Sequence, residues 1–391
     1  MKIGIVIQRF GPDIIGGAEV LCRSVALRLA ASADVEVFTT CAKEYLHWRN
    51  HYEAGTVTDG LLTVHRFPVA EERDPVAFGD RSNRLFAQGG SRAEEEAWFR
   101  ANGPYCPELV EAVTAARHLD VVLLYCFRYW PSFEVIRKLG RRCVLCPTAE
   151  DDPVLELALT REVLNAPGGI LYLTPEERDL VHRQAANEGV RHLVAGAAVE
   201  TPAPLEAAHF VAEHGLPETF CLYVGRFDVN KGCRELFAYY PEFCSFMSSS
   251  VPLVLAGHAV LPPPRHEHIR DVGPLAEKSK FDALAAASVL VLPSKLESLS
   301  MVLLEAWSTE TPVLVNAACA VTRGQCIRSG GGLYYTGFRE FAECLDRLLA
   351  DRPLRRRLGE AGQRYVDRHY RWPVVAPRIL AFLSVVAREQ S

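Results

Sequence analysis

The sequence predicts an α/β protein with two domains, each containing a parallel β-sheet covered by helices on both faces. Short runs of β-branched and other apolar residues alternate with helical stretches along nearly the whole chain, which is typical of parallel sheets. At 391 residues the chain is too long for a single hydrophobic core. A Pro-punctuated stretch without a clear strand, residues 201–219, separates two such series. We therefore place the domain boundary between residues 205 and 206.

The first domain, residues 1–205, begins with an apolar run that predicts a buried strand. The predicted strands are residues 3–7, 35–38, 61–67, 121–125, 143–146 and 170–173, and the predicted helices include residues 18–31, 92–102, 107–117 and 175–187. The helix at 175 carries strong start signals, because Thr174 can cap it and Pro175 stands in its first turn. Glu176 and Glu177 then lie at the positive end of the helix dipole.

The second domain, residues 206–370, repeats the alternation of strand and helix without repeating the sequence of the first. Its predicted strands are residues 220–224, 251–256, 288–292 and 312–315. The closing segment, residues 371–391, passes through Trp372 and Pro373 and continues as an apolar helix.

The composition is that of a globular protein, with 49% hydrophobic and 23% charged residues. A net charge of −5 argues against nucleic acid as the main partner. No apolar run reaches the roughly 18–20 residues that span a bilayer, and the N-terminus lacks the cleavage site of a signal peptide. We therefore expect a cytoplasmic protein. Two basic clusters could touch an anionic membrane but are more often exposed helix faces: Arg137, Lys138, Arg141 and Arg142, and Arg352, Arg355, Arg356 and Arg357.

Twelve cysteines are scattered along the chain, several of them inside apolar runs. The one close pair with metal-like spacing is Cys143 and Cys146, whereas a zinc site needs about four ligands. The sequence therefore predicts buried, reduced thiols and no metal site.

Three loops that follow predicted strands carry residues suited to phosphate and sugar chemistry. The first contains Gly11, Gly16 and Gly17, between the first strand and its helix. Glycines let a backbone approach a bulky anion, and a helix start offers free N–H groups to phosphate. The spacing differs from the dinucleotide fingerprint, and a plain tight turn is the alternative.

The second loop follows the strand at 220–224 and contains Gly225-Arg226 and, five residues after the arginine, Lys231-Gly232. It places two cations at the carboxyl edge of a parallel sheet, where ligands bind in open α/β folds. Arginine can grip a diphosphate with a fork of donors, and lysine adds a point charge. The alternative is a solvated loop that starts a helix.

The third loop follows the strand at 288–292 and contains Glu297, with Glu305 eight residues later in the next helix. One carboxylate could meet a sugar and the other a ribose, while N–H groups of residues 298–301 point at phosphate. The alternative makes Glu297 a helix cap and Glu305 a surface charge. However, Glu305 stands between Leu304 and Ala306 on an apolar helix, where an idle charge is costly.

The combination of Gly-Arg and Lys-Gly with two glutamates eight positions apart resembles the GT-B glycosyltransferases, specifically the large retaining family 4. The resemblance extends over nearly the whole chain, including the Gly16-Gly17-Ala18-Glu19 loop, Leu255-Ala256-Gly257, the loop at 272–275 and the ending around Trp372. It implies two Rossmann-like domains that face a cleft, with the acceptor on residues 1–205 and the donor on residues 206–370. It also implies that a C-terminal helix, residues 371–391, crosses back to the first domain.

The resemblance also implies roles for individual residues. Arg226 and Lys231 would neutralise the diphosphate as the glycosidic bond breaks, and Glu297 would hold hydroxyls of the donor sugar. No metal or other cofactor is implied, because the two cations supply the positive charge. The nucleotide-sugar would contact Gly16, Gly17, Gly225, Gly257, Gly273, Ser298, Leu299, Ser300, Met301 and Glu305, the last through its ribose.

The sequence departs from the family in the acceptor domain. Relatives often carry a His after the strand matching residues 121–125, and no His stands there in this chain. The candidate acceptor-side residues are Tyr125, Phe127, Arg128, Glu150 and Asp151, with the alternative that Phe127 and Trp130 are core aromatics. This aromatic and acidic stretch also motivates a narrower resemblance, to the S-glycosyltransferases of lincosamide biosynthesis that use ergothioneine as acceptor.

The sequence therefore predicts a retaining, metal-independent glycosyltransferase of specialised metabolism. Its donor would be a GDP- or UDP-sugar and its acceptor a small molecule, with no nucleic-acid or membrane partner. The alternatives are a polysaccharide- or lipid-assembling transferase, an inactive nucleotide-sugar-binding partner subunit and an epimerase of the same shape. A dehydrogenase fits less well because the dinucleotide fingerprint is missing. The sequence does not indicate the oligomeric state.

Overall fold

A computed structural model of the protein describes residues 1–389 and divides into two compact units. The first unit contains residues 1–196 and the chain from Val375 onward, and the second contains Ala197–Val374. The prediction of an α/β fold with two parallel sheets and a C-terminal helix is confirmed. All predicted strands are found within two residues of their predicted bounds.

The first unit contains strands β1 to β8 and helices α1 to α7. The strands are β1 (Lys2–Val6), β2 (Asp34–Thr40), β3 (Gly55–Asp59), β4 (Leu62–Phe67), β5 (Val121–Tyr125), β6 (Cys143–Cys146), β7 (Gly169–Tyr172) and β8 (His192–Val194). The helices are α1 (Gly17–Leu29), α2 (Pro75–Gln88), α3 (Arg92–Asn102), α4 (Pro107–Ala115), α5 (Trp130–Leu139), α6 (Ala158–Asn165) and α7 (Pro175–Ala185). Thr174 caps α7 through the backbone N–H of Glu177, as its sequence predicts.

The sheet of the first unit has the order β3-β4-β2-β1-β5-β6-β7-β8. Its strands are parallel except for β3, which pairs antiparallel with β4 at the edge. The two strands are joined by Gly60 and Leu61, and Gly60 has φ +64°, which suits a tight hairpin turn. The apolar pattern did not predict β3 because its residues are mostly polar and exposed.

The second unit contains strands β9 to β14 and helices α8 to α14. The strands are β9 (Cys221–Val224), β10 (Leu253–Ala256), β11 (Ile269–Gly273), β12 (Val289–Leu292), β13 (Val313–Asn316) and β14 (Gly332–Tyr335). The helices are α8 (Ala207–Glu213), α9 (Cys233–Met247), α10 (Glu277–Ala286), α11 (Met301–Ser308), α12 (Ala320–Ser329), α13 (Phe338–Ala350) and α14 (Arg352–His369). The sheet is fully parallel, with the order β11-β10-β9-β12-β13-β14.

Each unit has its own apolar core, built from both sides of its central strands. In the first unit the rings of Phe99 and Phe133 stack with their centroids 4.0 Å apart beneath the buried strands β5 and β6. In the second unit Tyr240, Phe243 and Phe341 pack against β9 and β10. All twelve cysteines are free thiols, and only Cys344 is partly exposed.

The last helix, α15 (Trp372–Arg388), packs on the first unit from Val375 onward. A Cβ on Gly169, at the start of β7, would lie 2.7 Å from the ring of Phe382, so the glycine permits close contact between helix and strand. Within residues 1–389, the segment Arg352–Arg388 alone is long and apolar enough to cross a membrane by length and composition. Val375, Ile379 and Leu383 on that segment are buried within the protein.

Helix α14 packs on α11 through two glycines of its own. A Cβ on Gly359 would lie 1.8 Å from the carbonyl oxygen of Glu310, and a Cβ on Gly362 would meet the ring of Trp307 at 2.2 Å. Helix α14 therefore lies against the backbone that follows α11 and against the ring of Trp307, and a side chain at either glycine would prevent this contact.

Replacing Gly359 with Ala should reduce the free energy of unfolding by about 1–3 kcal/mol, because the new methyl group overlaps a backbone carbonyl. Urea unfolding followed by circular dichroism measures this loss. Gly79→Ala in α2 is the matched control, because no atom lies within 4 Å of its Cβ position. That variant should gain up to about 1 kcal/mol from helix propensity. An equal change in the free energy of unfolding in the two variants would contradict the close packing of Gly359.

Candidate functional site

The second unit has a topological switch point between β9 and β12. From β9 the chain continues to β10 and β11 on one side of the sheet, whereas β12, β13 and β14 follow on the other side. In open α/β sheets ligands bind at the carboxyl ends of the strands beside such a point. The loops that leave β9 and β12 there are the two that carry Arg226, Lys231 and Glu297.

The loop after β9 begins with an extended glycine backbone that side chains rarely adopt. Gly225 has φ +148° and Gly257, at the end of neighbouring β10, has φ +153°. A Cβ on Gly257 would lie 1.9 Å from the carbonyl oxygen of Gly225. The two backbones therefore touch, and Gly257 in turn donates its N–H to Gly273 at 2.9 Å. The three predicted glycines thus lie side by side at the ends of β9, β10 and β11.

Asp228 organises the cationic loop. Its carboxylate accepts from the backbone N–H groups of Asn230 at 2.6 Å and Lys231 at 3.3 Å. Its other oxygen accepts from Nε of Arg226 at 2.6 Å. Asp228 is buried, whereas the Arg226 side chain is 40% exposed, and the carboxylate holds the guanidinium at its Nε atom. Asp228 was not among the predicted site residues, although an Asp two residues before Asn230 in a turn is a signal for this geometry.

Lys231 and Glu297 form an ion pair across the switch point, with Nζ 2.8 Å from Oε1. A second close approach brings them together. Gly232 has φ +75°, and a Cβ on it would lie 2.2 Å from the carbonyl oxygen of Pro293. Ser294 adds a hydrogen bond to the carbonyl oxygen of Lys231 at 3.4 Å. Glu297 is thus in the loop, as predicted, and its side chain is only 13% exposed.

Glu305 lies in the second turn of α11 and is buried. Burial raises the pKa of its carboxyl, and Lys280 on α10 opposes this rise with Nζ 2.8 Å from Oε1. Glu277, also on α10, adds a like charge nearby. Glu305 is therefore a shielded carboxylate with a cationic partner, and not a surface charge.

The start of α11 presents backbone N–H groups, as every helix start does. Ser300 is its N-cap residue, but its side chain accepts no capping hydrogen bond from the helix, and Leu299 and Ser300 are buried. Ser298 and Met301 are partly exposed. This geometry suits an anion at the carboxyl edge of β12.

In the first unit the predicted glycine loop lies beside the equivalent switch point, between β1 and β5. Gly17 starts α1, is exposed and has no atom within 4 Å of its Cβ position, so its backbone is accessible. Gly16 is different, because a Cβ there would lie 2.2 Å from Oε2 of Glu19. Glu19 forms a buried ion pair with Arg9 at 2.5 Å and accepts from Nε2 of Gln8 at 2.9 Å. The sequence patterns did not mark this pair.

The acceptor-side candidates divide into two groups. Tyr125 and Phe127 are 2% and 0% exposed and belong to the core of the first unit, so their side chains cannot reach a ligand there. Phe127 and Trp130 both belong to this core, as the alternative interpretation has it, and Tyr125 is enclosed because β5 is buried along its whole length. The remaining candidates lie near the surface. Arg128 pairs with Asp152, Glu150 is partly exposed and Asp151 is exposed.

The acidic loop that contains Glu150 is held by a buried carboxylate. Glu177 on α7 accepts from the backbone N–H groups of Ala149 at 2.7 Å and Leu173 at 2.6 Å. Burial raises its pKa to about 8. Thr148 at the start of the loop has φ +49° and donates to Sγ of Cys126, which has φ +63°. Two strained residues in contact at the carboxyl ends of β5 and β6 are typical of a functional edge.

Over residues 1–389 no cluster of three His, Cys, Asp or Glu side chains could hold a metal ion. At the switch point of the second unit, Arg226 pairs with Asp228 and Lys231 pairs with Glu297.

Known proteins with similar sequences or structures share one two-domain fold with this chain. Residues 206–365 match the model of the family Glycosyl transferases group 1. No curated protein matches the chain. A sucrose-phosphate synthase from Thermosynechococcus elongatus superposes with a TM-score of 0.75 at 18% identity, over 98% of both chains.

Two further solved structures have the same fold. An α,α-trehalose-phosphate synthase (UDP-forming) from Burkholderia vietnamiensis gives a TM-score of 0.73 at 14% identity, over 100% of this chain and 98% of that one. The Anabaena protein HepE, in complex with UDP and glucose, gives 0.69 at 15% identity, over 98% of this chain and 100% of that one. Identities this low establish the fold.

The fold, with its switch point between β9 and β12 in the second unit, is that of a two-domain protein of the GT-B class. Within the second unit, residues 206–365 are similar to the glycosyl transferases group 1 family. The narrower resemblance to retaining family 4 stays a prediction.

Replacing Lys280 with Met should destabilise the protein more at pH 8 than at pH 5. The pKa of Glu305 is higher in the folded protein than its ordinary value of 4.5. Ionisation of this carboxyl therefore lowers the free energy of unfolding as the pH rises above 4.5. Without Lys280 the buried carboxylate has lost its cation, and the loss should be on the order of 3 kcal/mol at pH 8. Urea unfolding at both pH values measures it.

The double variant Lys280→Met with Glu305→Gln is the control, because it removes the buried charge as well. Its stability should not fall between pH 5 and pH 8 by more than that of the unsubstituted protein. A Lys280→Met variant that loses the same free energy at both pH values would show that Glu305 needs no cation.

Proposed function

We propose that the protein is a retaining, metal-independent glycosyltransferase that moves a sugar from a nucleoside-diphosphate sugar to a small-molecule acceptor. The observation that carries the proposal is the arrangement of Arg226, Lys231 and Glu297 at the switch point of a group 1 domain. Two cations and a carboxylate converge where open α/β sheets bind their ligands.

The reaction follows from where charge develops. As the bond between the anomeric carbon and the phosphate oxygen breaks, negative charge grows on the leaving diphosphate, and the Arg226 and Lys231 side chains stabilise it. The acceptor oxygen or sulfur forms the new bond to the anomeric carbon on the same face. The acceptor proton passes to an oxygen of the departing phosphate, so the step needs no side-chain base.

Glu297 has a second role in this proposal. In the structure it is the ion-pair partner of Lys231. Donor binding would replace that contact, because the diphosphate takes over Lys231 and hydroxyls of the sugar donate to the Glu297 carboxylate. Glu305 would accept from the ribose hydroxyls, and Lys280 is its ion-pair partner at 2.8 Å.

The nucleotide is proposed to be UDP or GDP, and UDP is the first to test. The Anabaena neighbour was solved with UDP and glucose, and the Burkholderia neighbour is described as UDP-forming. For the acceptor we propose a small molecule of specialised metabolism that meets the acidic loop around Glu150 and Asp151. Ergothioneine and phosphorylated sugars are the informative members of an acceptor panel, since one is a cationic thiol and the others are anions.

A calorimetric panel of UDP, GDP, ADP and dTDP with EDTA present tests the donor. We expect one nucleotide to bind and to raise the melting temperature, and Lys231→Ala to weaken that binding at least tenfold. Lys278→Ala is the matched control, because Lys278 is an exposed lysine of the same unit paired with Glu206. Unsubstituted protein that binds none of the four nucleotides would favour the inactive-partner alternative.

The stereochemical prediction is independent of the affinity measurement. With a matching donor and acceptor, the product should keep the anomeric configuration of the donor sugar, read from the one-bond C–H coupling of the anomeric carbon by NMR. Lys231→Ala should lower kcat by roughly 10²–10³-fold, because the lost cation acts on the developing charge. An inverted product would contradict the retaining mechanism even if the enzyme is active.

A further inference from the structure

A second lysine–carboxylate bridge lies beside the first at the switch point of the second unit. Nζ of Lys295, on the loop after β12, is 2.9 Å from Oε2 of Glu235. Glu235 stands in the first turn of α9, four residues after Lys231. The two bridges therefore join the same two segments, with the charges reversed. Lys231 reaches across to Glu297, and Lys295 reaches back to Glu235.

Glu235 is also tied to the next two strands of the sheet. Its Oε1 accepts from Nδ2 of Asn316, the last residue of β13, at 2.7 Å and from the hydroxyl of Tyr335, the last residue of β14, at 3.4 Å. Tyr335 is fully buried, and the Oδ1 of Asn316 accepts from the backbone N–H of Ala318. Four structural elements thus meet at one carboxylate.

The carboxylate, and not the lysine, distinguishes this cluster from an ordinary surface ion pair. The Glu235 side chain is 19% exposed and has three partners, whereas the Lys295 side chain is 55% exposed. Exposed pairs contribute about 0–1 kcal/mol and position little. Asn316 and Tyr335 instead hold the Glu235 carboxylate in place. The Lys295 side chain can therefore tie its loop to a fixed group.

We propose that Glu235 and Lys295 are positioning residues that hold the loop bearing Glu297 against the cationic loop bearing Lys231. Neither side chain needs to touch the donor. The bridge fixes the loop at Lys295, two residues before Glu297, on a carboxylate that α9, β13 and β14 hold in place. The inference concerns the geometry of the loop, and its catalytic consequence rests on the proposed function.

Loop mobility is the readout that does not depend on activity. In Lys295→Met and in Glu235→Gln, amide hydrogen exchange of residues 294–300 should be at least fivefold faster than in the unsubstituted protein, with exchange in β9 and β12 unchanged. Lys295→Arg should restore slow exchange, because it keeps the cation. Lys278→Met is the matched control and should change nothing in this loop. Unchanged exchange in both bridge variants would overturn the proposal, whatever the protein binds.

Kinetics then connect the bridge to the reaction. With UDP or GDP affinity within threefold of normal, Lys295→Met should lower kcat by about 10-fold or more, and Lys295→Arg should recover most of it. A positioning role predicts this split between kcat and nucleotide affinity, whereas a merely structural role would lower the melting temperature and both constants together. A kcat of Lys295→Met within twofold of normal would overturn the catalytic part. Failure of the unsubstituted protein to bind any nucleotide would instead count against the proposed function and leave the exchange result standing.

Discussion

The contact between the backbone at Gly232 and the carbonyl of Pro293 sets the geometry of the site in the second unit. It forces the loops after β9 and β12 together, which places Lys231 within 2.8 Å of Glu297. An L side chain at residue 232 would both overlap that carbonyl and adopt an unfavourable φ of +75°. The ion pair therefore depends on a glycine that carries no chemistry itself.

The two glutamates of the motif are placed in different electrostatic environments. Glu297 lies in a loop, and its partner Lys231 is partly exposed. Glu305 is buried in a helix beside Lys280, and burial raises its pKa. The eight-residue spacing produces this difference because the helix α11 begins between them.

Most strands could be predicted from the sequence because buried parallel strands consist of short runs of apolar residues. The strands at 121–125 and 143–146 were predicted to the residue, whereas β3 escaped because its residues are polar and exposed. The loops of the candidate site were also predictable, since they directly follow apolar strands. The bridges from Glu235 to Lys295 and from Lys280 to Glu305 were not, because each joins residues far apart in the chain that only the sheet topology brings together.

The first unit also has an ion pair and a closely packed glycine at its switch point, but there the ion pair is buried. There the ion pair of Arg9 and Glu19 is buried beneath the glycine loop, and Gly16 is needed because the Glu19 carboxylate occupies the space of a side chain. Burying two charges carries a desolvation penalty, but the buried pair can fix one geometry of the surrounding backbone. It holds the loop so that the backbone of Gly17 remains exposed. In the first unit the ion pair thus shapes the backbone of its own loop, whereas in the second unit the pair of Lys231 and Glu297 joins two loops.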